Sequence, residues 1–328
     1  MTPNLTDMPD VVLRQIFTDV GCPGILNLRK VCQSFRKFLQ EFPTDSRIPR
    51  INITIYHNLM IIKLQPGILE IDGIRYSKEG ANCNIRYGNW EKVLENCDYS
   101  NRVFEDLEII FAHQKSVLNS LEIFCPIPDI RETEFPEKVQ RLQKVLENSR
   151  KLKVKKFYML YSEFSHISSL LKHLDAGIIE EIATFSMMKP YENDNEIEEF
   201  VKLDHWKNLK RIKIYNVPIE ISLQYFLHFK EVTVEFTRIS AEEMILVMEN
   251  FFNSSFPEEF YIGYTDFDDE IQFLNYLGPP RTFIEDYEMY QRKWYKRIGN
   301  SSEALFIFQS KADDNFFKFS RIPLSDVP

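Results

Sequence analysis

The sequence predicts an α/β protein with a small helical N-terminal module, a β-rich joint, a degenerate strand–helix solenoid and a C-terminal antiparallel β cap. Three observations support this fold class. Apolar residues recur at helical spacing within residues 1–45, they alternate with polar residues after residue 50, and a spaced hydrophobic pattern repeats from residue 118. The 328 residues leave room for two or more domains of ~150 residues each.

Composition narrows the classes of function. Apolar residues make up 44% of the chain, which allows a packed core and excludes wholesale disorder. The 49 acidic and 40 basic side chains give a net charge of −9. Nucleic-acid binding needs clustered positive charge, so a nucleic-acid partner is not expected. The basic runs at 151–156, 207–213 and 292–297 keep it open as the weakest alternative.

The chain is expected to act in a reducing compartment inside the cell, in the cytoplasm or the nucleus. Its first residues have neither the cationic start nor the apolar run of a secretory signal. Apolar stretches stay well below the ~18 residues of a membrane helix, so no membrane association is predicted. The 5 cysteines are scattered without a Cys-x-x-Cys pair, so neither a disulfide framework nor a zinc site is expected.

Residues 1–45 predict a module of short helices. The first apolar stripe follows Met8-Pro9 and consists of Leu13, Ile16, Phe17 and Val20. The second stripe consists of Leu28, Val31, Cys32, Phe35 and Phe38 or Leu39. A unit of this size without a disulfide or metal rarely buries its apolar surface alone. The module is therefore expected to pack against a partner or, alternatively, against the rest of its own chain.

The motif elements in this module are Leu5, Met8-Pro9, Leu13 and Ile16, followed by Leu28-Arg29-Lys30-Val31-Cys32 and Phe35-Arg36. In this order they resemble the F-box, a module that docks on the Skp adaptor subunit of cullin-RING ubiquitin ligases. The resemblance implies that the residues that face or support the Skp adaptor are Met8, Pro9, Leu13, Ile16, Leu28, Val31 and Phe35. Some of them must form the module's own core, and the sequence does not sort the two groups.

Residues 46–115 predict a β-rich joint followed by helices. Apolar residues alternate on both sides of Tyr56-His57-Asn58 and predict a hairpin, at Ile51, Ile53, Ile55, Met60, Ile62 and Leu64. A third strand is expected over 68–76, and helices are expected over 90–97 and 104–111. Since no Gly/Ser-rich linker intervenes, the N-terminal module should be held at a fairly fixed angle.

Residues 116–290 predict a solenoid that resembles leucine-rich repeats. The pattern hydrophobic-x-x-hydrophobic-x-hydrophobic begins at Leu118, Val154, Leu209 and Phe229, with partial copies at Ile179 and Phe260. Helical stripes lie between the copies, and stacked strand–helix units of roughly 20 to 33 residues are typical of solenoids. An ordinary α/β sheet with helices on both faces is the alternative. Residues 291–328 are expected to form an antiparallel cap.

The same region resembles the FTH domain, which follows an F-box in a large group of nematode proteins. The similar segments are Leu170–Ile182, Leu203–Lys210, Phe226–Phe229, Ile239–Glu243 and Phe251–Phe256. His205 departs from the family, in which Gln is frequent at this position. The resemblance implies an interaction domain that recruits a target protein.

The sequence also predicts a surface for that target. Side chains alternate across a sheet, so every second residue of the stacked strands should face outward. Aromatic and arginine side chains on such a surface favour binding. The predicted target-binding residues are Tyr158, Phe185, Arg211, Lys213 and Tyr215. The alternative is that helices or the C-terminal tail cover them.

Catalysis is not expected, and no cofactor or metal is predicted. The sequence contains no GxGxxG, P-loop, HExxH or GxSxG motif. Asp204-His205 and a distant pair, Cys97 with His113, are weak candidates for chemistry. The predicted function is therefore a substrate-recruiting subunit of a Skp–cullin–F-box ubiquitin ligase. The alternative is an interaction scaffold whose F-box is structural or binds the adaptor alone.

Overall fold

The computed structural model describes residues 5–18, 20, 24–25, 28–29, 31–65, 73–126, 134–160, 163–185, 195–286, 289–311 and 315–328. The chain has a mixed α/β fold with an N-terminal helical region and extensive β-structure. It divides into two compact units. The first contains Met1–Ser162 and His166–Ile179, and the second contains Glu163–Ser165 and Glu180–Pro328.

The N-terminal module contains helices α1 (Asp10–Thr18) and α2 (Gln33–Glu41), and a 3-10 turn at Leu5–Asp7 precedes α1. The second apolar stripe is interrupted at Cys32. The Cys32 Sγ accepts the Phe35 N–H at 3.5 Å, so this thiol caps the N-terminus of α2.

The joint forms an antiparallel meander. Strands β1 (Arg50–Tyr56) and β2 (Leu59–Gln65) confirm the predicted hairpin, and β3 (Ile74–Glu79) and β4 (Asn82–Tyr87) follow. Residues 68–72 of the predicted third strand lie outside the described residues.

The prediction of a helix over 90–97 is wrong, because Trp90–Leu94 forms strand β5. Tyr87 pairs with Trp90 across a turn in which Gly88 has a φ of 57°. This left-handed conformation suits glycine and folds β5 back onto β4.

The predicted helix over 104–111 is confirmed within α3 (Tyr99–Ala112). This helix packs on β2, β3 and β4. The buried Tyr76 O–H of β3 donates to Asp106 Oδ2 at 2.8 Å, which anchors the helix to the strands.

The remaining elements of the first part of the chain are β6 (Leu118–Phe124), α4 (Phe135–Glu147), β7 (Val154–Leu160) and α5 (Phe164–Leu171). Strands β1, β6 and β7 are parallel neighbours. The strands of the first unit therefore follow the order β7-β6-β1-β2-β3-β4-β5.

The second unit contains four parallel strands followed by an antiparallel set. The parallel strands are β8 (Glu181–Phe185), β9 (Arg211–Ile219), β10 (Glu231–Ser240) and β11 (Glu259–Asp268). The antiparallel strands are β12 (Thr282–Asp286), β13 (Met289–Arg297), β14 (Glu303–Lys311) and β15 (Phe316–Pro323). Their order is β8-β9-β10-β11-β15-β14-β13-β12.

Helices connect the parallel strands: α6 (Asn195–Val201), α7 (Asp204–Asn208), a 3-10 turn (Leu223–Phe226) and α8 (Ala241–Asn253). A further helix, α9 (Glu270–Leu277), leads from β11 to β12. Strands and helices thus alternate where the repeat pattern predicts them. The antiparallel pairing of β13, β14 and β15 confirms the strand prediction for the C-terminal region. The solenoid interpretation itself stays a prediction.

The core of the second unit lies under one side of its strands. Along β10, Val232, Val234 and Phe236 are buried, whereas the residues between them are partly exposed. Trp206 of α7 packs edge-on against Phe229 at a centroid distance of 4.9 Å. The helical connections therefore supply the aromatic side chains that fill the core.

The segment that leaves the N-terminal module, residues 43–48, is fixed to the turn between α3 and β6. We call this segment the tether. The Thr44 N–H donates to His113 Nδ1 at 3.1 Å, and the Ile48 N–H donates to Gln114 Oε1 at 3.0 Å. Thr44, Ile48, His113 and Gln114 are all buried.

Asp45 completes the tether from the opposite direction. Its Oδ1 accepts the backbone N–H groups of Lys115 at 3.0 Å and Ser116 at 3.1 Å. Partial burial acts to raise the Asp45 pKa, but these backbone N–H donors outweigh it and lower the pKa below its ordinary value. Hydrogen bonds between residues 43–48 and residues 113–116 thus hold the tether, and each of the two segments supplies both donors and acceptors.

We predict that Asp45→Ala destabilises the protein. The N–H groups of Lys115 and Ser116 lose a charged acceptor, so the free energy of unfolding should fall by about 1–2 kcal/mol. Urea denaturation at neutral pH measures the change. Asp204→Ala is the control, because Asp204 is exposed and forms a surface pair with Lys207 at 3.5 Å. Equal losses in the two variants would contradict the tether's role.

We also predict a pH dependence that originates at His113. Burial, together with the nearby Arg29 charge, lowers the His113 pKa from 6.5 to about 4. The unfolded chain therefore takes up a proton between these values while the folded chain does not. This contribution to stability is complete above pH 6.5 and is lost as the pH falls towards 4.

The measurement is the free energy of unfolding of the wild type and His113→Gln between those pH values. The variant removes the titrating group, so its stability should decline less steeply on acidification. Parallel curves for the two proteins would show that His113 does not titrate in this way.

Candidate functional site: two docking surfaces

The N-terminal module has an apolar core of its own. The buried members of this core are Leu13, Phe17, Ile25, Phe35, Phe38 and Leu39. Phe17 makes edge-on contacts with Phe35 at 5.5 Å and Phe38 at 5.6 Å, which joins α1 to α2. The module therefore does not rely on apolar residues from elsewhere in the chain to hold these two helices together.

Aliphatic side chains remain exposed on the module after this core has formed. We call them the aliphatic set: Pro9, Val11, Val12, Ile16 and Val31. Val11 is 77% exposed and Val31 is 67% exposed. Val12 and Ile16 are four residues apart and lie on one face of α1, and Pro9 directly precedes the helix three residues before Val12. Leu13 and Phe17 occupy the adjacent face that packs on α2.

The structure sorts the residues predicted to face or support the adaptor. Leu13 and Phe35 are buried in the core, and Met8 and Leu28 pack partly buried against it. Pro9, Ile16 and Val31 are exposed. Their role in docking stays a prediction.

Sequence reasoning did not single out Val11 and Val12. Both lie next to the apolar stripe of α1 and not within it. The core of the module needs only the residues of the stripe. Apolar residues outside the stripe are therefore the signal that could have identified Val11 and Val12.

The second candidate surface is the side of the second unit's strands opposite its buried core. Register places Glu181, Ala183 and Phe185 of β8 beside Arg211, Lys213 and Tyr215 of β9. The row continues through Glu231, Thr233 and Glu235 of β10 to Glu259, Tyr261 and Gly263 of β11. We call this side the open face, because most of these side chains are partly exposed.

Four of the five predicted target-binding residues lie on the open face. Arg211 Nε bonds Glu231 Oε1 at 2.7 Å, which raises the Arg211 pKa. Lys213 Nζ lies 3.9 Å from Glu181 Oε1. The rings of Phe185 and Tyr215 approach to 6.5 Å. Both cations are therefore paired with carboxylates.

Tyr158, the fifth predicted residue, belongs to the first unit. It lies on β7, where it pairs with Glu122 of β6 and is partly buried. The structure thus places this residue in a different unit from the other four.

A shallow groove crosses the open face. A bulge shifts the register of β9 against β10 after Thr233, and Asn216 has a φ of 57° at this point. Gly263 lies beneath Glu235, and a Cβ at this position would approach the Glu235 Cγ to 3.2 Å. Tyr215 and Tyr261 line the groove, which offers aromatic surface beside carboxylates.

The weak candidates for chemistry have structural roles. His113 accepts the Thr44 N–H and is buried, and His205 is buried within α7. Among the described residues, no cluster of His, Cys, Asp or Glu could hold a metal ion. None of the helices in the described ranges combines the length and apolarity needed to cross a bilayer.

Comparisons with known proteins bear on both surfaces. The family model of the F-box domain matches residues 5–46, and that of the FTH domain matches residues 137–280. The chain is also similar to the Caenorhabditis elegans protein named F-box A protein 224. The two are 19% identical over 324 residues, which cover 95% of this chain and 81% of that protein. The aliphatic set thus lies within an F-box and most of the open face within an FTH domain, and the chain is an F-box protein that carries an FTH domain.

Proposed function

We propose that this chain is the substrate-recruiting subunit of a Skp–cullin–F-box ubiquitin ligase. In this proposal the F-box docks on a Skp-type adaptor, and through it on cullin, while the FTH domain binds a target protein. The observation that carries the proposal is the aliphatic set. A segment matched as an F-box leaves Val11, Ile16 and Val31 exposed although it has a formed core.

The energetics favour association of this kind. Burial of an aliphatic side chain stabilises a complex by about 1.5–3 kcal/mol when it is complete. A standard interface buries ~1,600 Å² in total, and a few apolar anchors supply most of its binding energy. Five aliphatic side chains on one small module are sufficient anchors for such an interface.

The chain performs no bond chemistry in this proposal. Holding a target near a charged ubiquitin-conjugating enzyme raises the effective concentration of the target's lysines. What the chain must provide is therefore position. The hydrogen bonds between the tether and residues 113–116 support this role, because a freely moving F-box would lower the effective concentration of the target's lysines.

The finer structural interpretation belongs to the same proposal. We interpret the alternating parallel strands and helices as degenerate leucine-rich-repeat-like units, and Tyr158, Phe185, Arg211, Lys213 and Tyr215 as target-binding residues. Support comes from the second unit, where four of these residues share the open face and its helices supply the buried side.

One observation favours a second candidate function. The F-box core contains six buried apolar residues: Leu13, Phe17, Ile25, Phe35, Phe38 and Leu39. A module with such a core can serve as a structural cap or bind the adaptor alone, which would make the chain an interaction scaffold outside a ligase. Co-elution with adaptor alone, against adaptor plus cullin, separates the two functions.

We predict that Ile16→Glu combined with Val31→Glu abolishes binding to a purified Skp-type adaptor. Both side chains are exposed, so the double variant should fold while charge enters the proposed interface. Size-exclusion chromatography of micromolar mixtures is the measurement. Ile271→Glu is the matched control, since Ile271 is 75% exposed on α9 and should leave co-elution unchanged.

Leu13→Ala would not serve this purpose, because Leu13 is buried in the F-box core and its loss would test stability. Undiminished co-elution of the double variant would refute the docking surface. Failure of the wild type to bind the adaptor would refute the ligase proposal as a whole.

We further predict that Arg211→Ala combined with Tyr215→Ala weakens target capture. The substitutions remove a cation and an aromatic ring from the open face, and interface anchors of these types often contribute more than about 1 kcal/mol each. The measurement is quantitative affinity capture from cells with the proteasome blocked. Tyr225→Ala is the control, because Tyr225 is 50% exposed in the 3-10 turn and not on the open face. A protein retained equally by both variants is not bound at this surface.

A further inference from the structure

A row of aromatic side chains crosses the antiparallel strands of the second unit. Tyr261 of β11 stacks on Phe316 of β15 at a centroid distance of 4.4 Å, and Phe316 lies 5.7 Å from Phe308 of β14. Phe308 lies 6.4 Å from Phe306, which in turn lies 5.3 Å from Tyr295 of β13. We call these five residues the aromatic row. Such distances are typical of attractive aromatic pairs.

Register places the aromatic row on the open face and not in the core. Lys318 of β15 pairs with Tyr261 on one side and with Phe308 on the other. Successive side chains of a strand point to opposite faces. The residues that alternate with the row are buried, namely Leu305, Ile307, Phe317 and Phe319. All five members of the row are only partly buried.

Cations border the aromatic row on the side of β13. The Lys293 Nζ lies 5.8 Å from the centroid of Phe308, and the Arg281 guanidinium lies 5.8 Å from that of Tyr295. Among the side chains that the structure describes, neither cation has a carboxylate within ion-pair distance. Within that described set, the two cations contact aromatic rings and not carboxylates.

The charges on the other side of the row are different. Glu259 of β11 pairs with Lys318 at 2.9 Å, and Glu235 of β10 lies over Gly263. Farther along, Arg211 and Lys213 have their own carboxylate partners. Among the residues that the structure describes, the open face is therefore polarised, with Lys293 and Arg281 as unpaired cations near β12 and β13.

We propose that the aromatic row binds a peptide segment of the target that carries aromatic or large aliphatic side chains next to Asp or Glu. This inference rests on the proposed function and names the chemistry of the target. The apolar side chains would pack on the five rings, as aromatic anchors do at interfaces. The acidic groups would lie toward Lys293 and Arg281, which fixes the direction of the segment.

An acidic peptide fits this surface better than a nucleic acid does. Aromatic side chains can stack on bases, but single-strand binding also requires a positively charged groove that follows the phosphates. Here Glu235 and Glu259 occupy the β10 and β11 side of the row, and the chain has a net charge of −9. A phosphate backbone along the row would meet these carboxylates.

The test is selection from a random peptide library displayed on phage, with the full chain immobilised. Selection on the wild type should enrich peptides with aromatic or large aliphatic residues and flanking acidic residues. A parallel selection uses Lys293→Glu with Arg281→Glu, a surface variant expected to fold. Its selected peptides should retain the apolar residues and lose the acidic ones. Tyr276→Ala is the control, since Tyr276 is exposed on α9 and should not alter the outcome.

Affinity measurements then quantify the effect on one selected peptide. The double charge reversal should weaken its binding by about tenfold or more, because the acidic peptide would then face side chains of the same charge. Phe308→Ser should weaken it by a similar factor, with circular dichroism to verify folding. Enrichment of peptides without apolar residues, no enrichment, or unchanged affinity in the charge-reversed variant would overturn the inference. Displacement of the peptide by a thymidine oligonucleotide would instead assign the row to single-stranded nucleic acid and overturn it as well.

Adaptor binding is measured on the same preparations. Adaptor binding without a peptide preference would overturn this inference and leave the ligase proposal intact. A peptide preference without adaptor binding would retain the surface and refute the ligase.

Discussion

The N-terminal module is fixed by backbone N–H groups that donate to the side chains of Asp45, His113 and Gln114. The proposed use of the F-box depends on this constraint. These hydrogen bonds hold residues 43–48 against 113–116, about seventy positions apart in sequence, in a region where Thr44, Ile48 and Gln114 are buried. Buried donors without acceptors are costly, so the segment has one favourable arrangement. A flexible hinge at residues 43–48 would connect the same two helices to the chain but would not fix their orientation.

The second constraint is that, among the described residues, helices pack on one side of the second unit's strands. Phe251 of α8 packs on Phe260 of β11 at 5.3 Å, and Phe226 packs on Phe236 of β10 at 5.5 Å. The alternation of side chains along a strand then leaves the other side to charged, hydroxyl and aromatic residues. Both the groove and the aromatic row follow from this one-sided core, because most residues on the open face stay partly exposed.

Periodicity predicted most strands and helices, since each depends on neighbours in sequence. It failed at Trp90, where a glycine turn and pairing with β4 outweighed the helical pattern, and it could not foresee that Asp45 meets Lys115 and Ser116. For the F-box, periodicity identified the apolar stripes but not which of their residues are buried. Leu13 and Ile16 both belong to the first stripe, but only Leu13 is buried by packing against α2. Periodicity did not predict the aromatic row. Its members lie on four strands and come together through strand register, which local sequence patterns do not encode.

The two surfaces differ in chemistry as their proposed partners should. For the proposed adaptor, small aliphatic side chains such as Val11 and Val31 would supply affinity with little directional information, because apolar burial is not directional. A target must be distinguished from other proteins, and discrimination requires groups that penalise the wrong partner. In the proposed mode the acidic groups of the target lie toward Lys293 and Arg281, whereas at the other end of the row Glu259 is paired with Lys318. We therefore expect the aromatic rings to bind a segment in one direction, so that the proposed affinity at the F-box and the proposed selectivity at the open face can change independently.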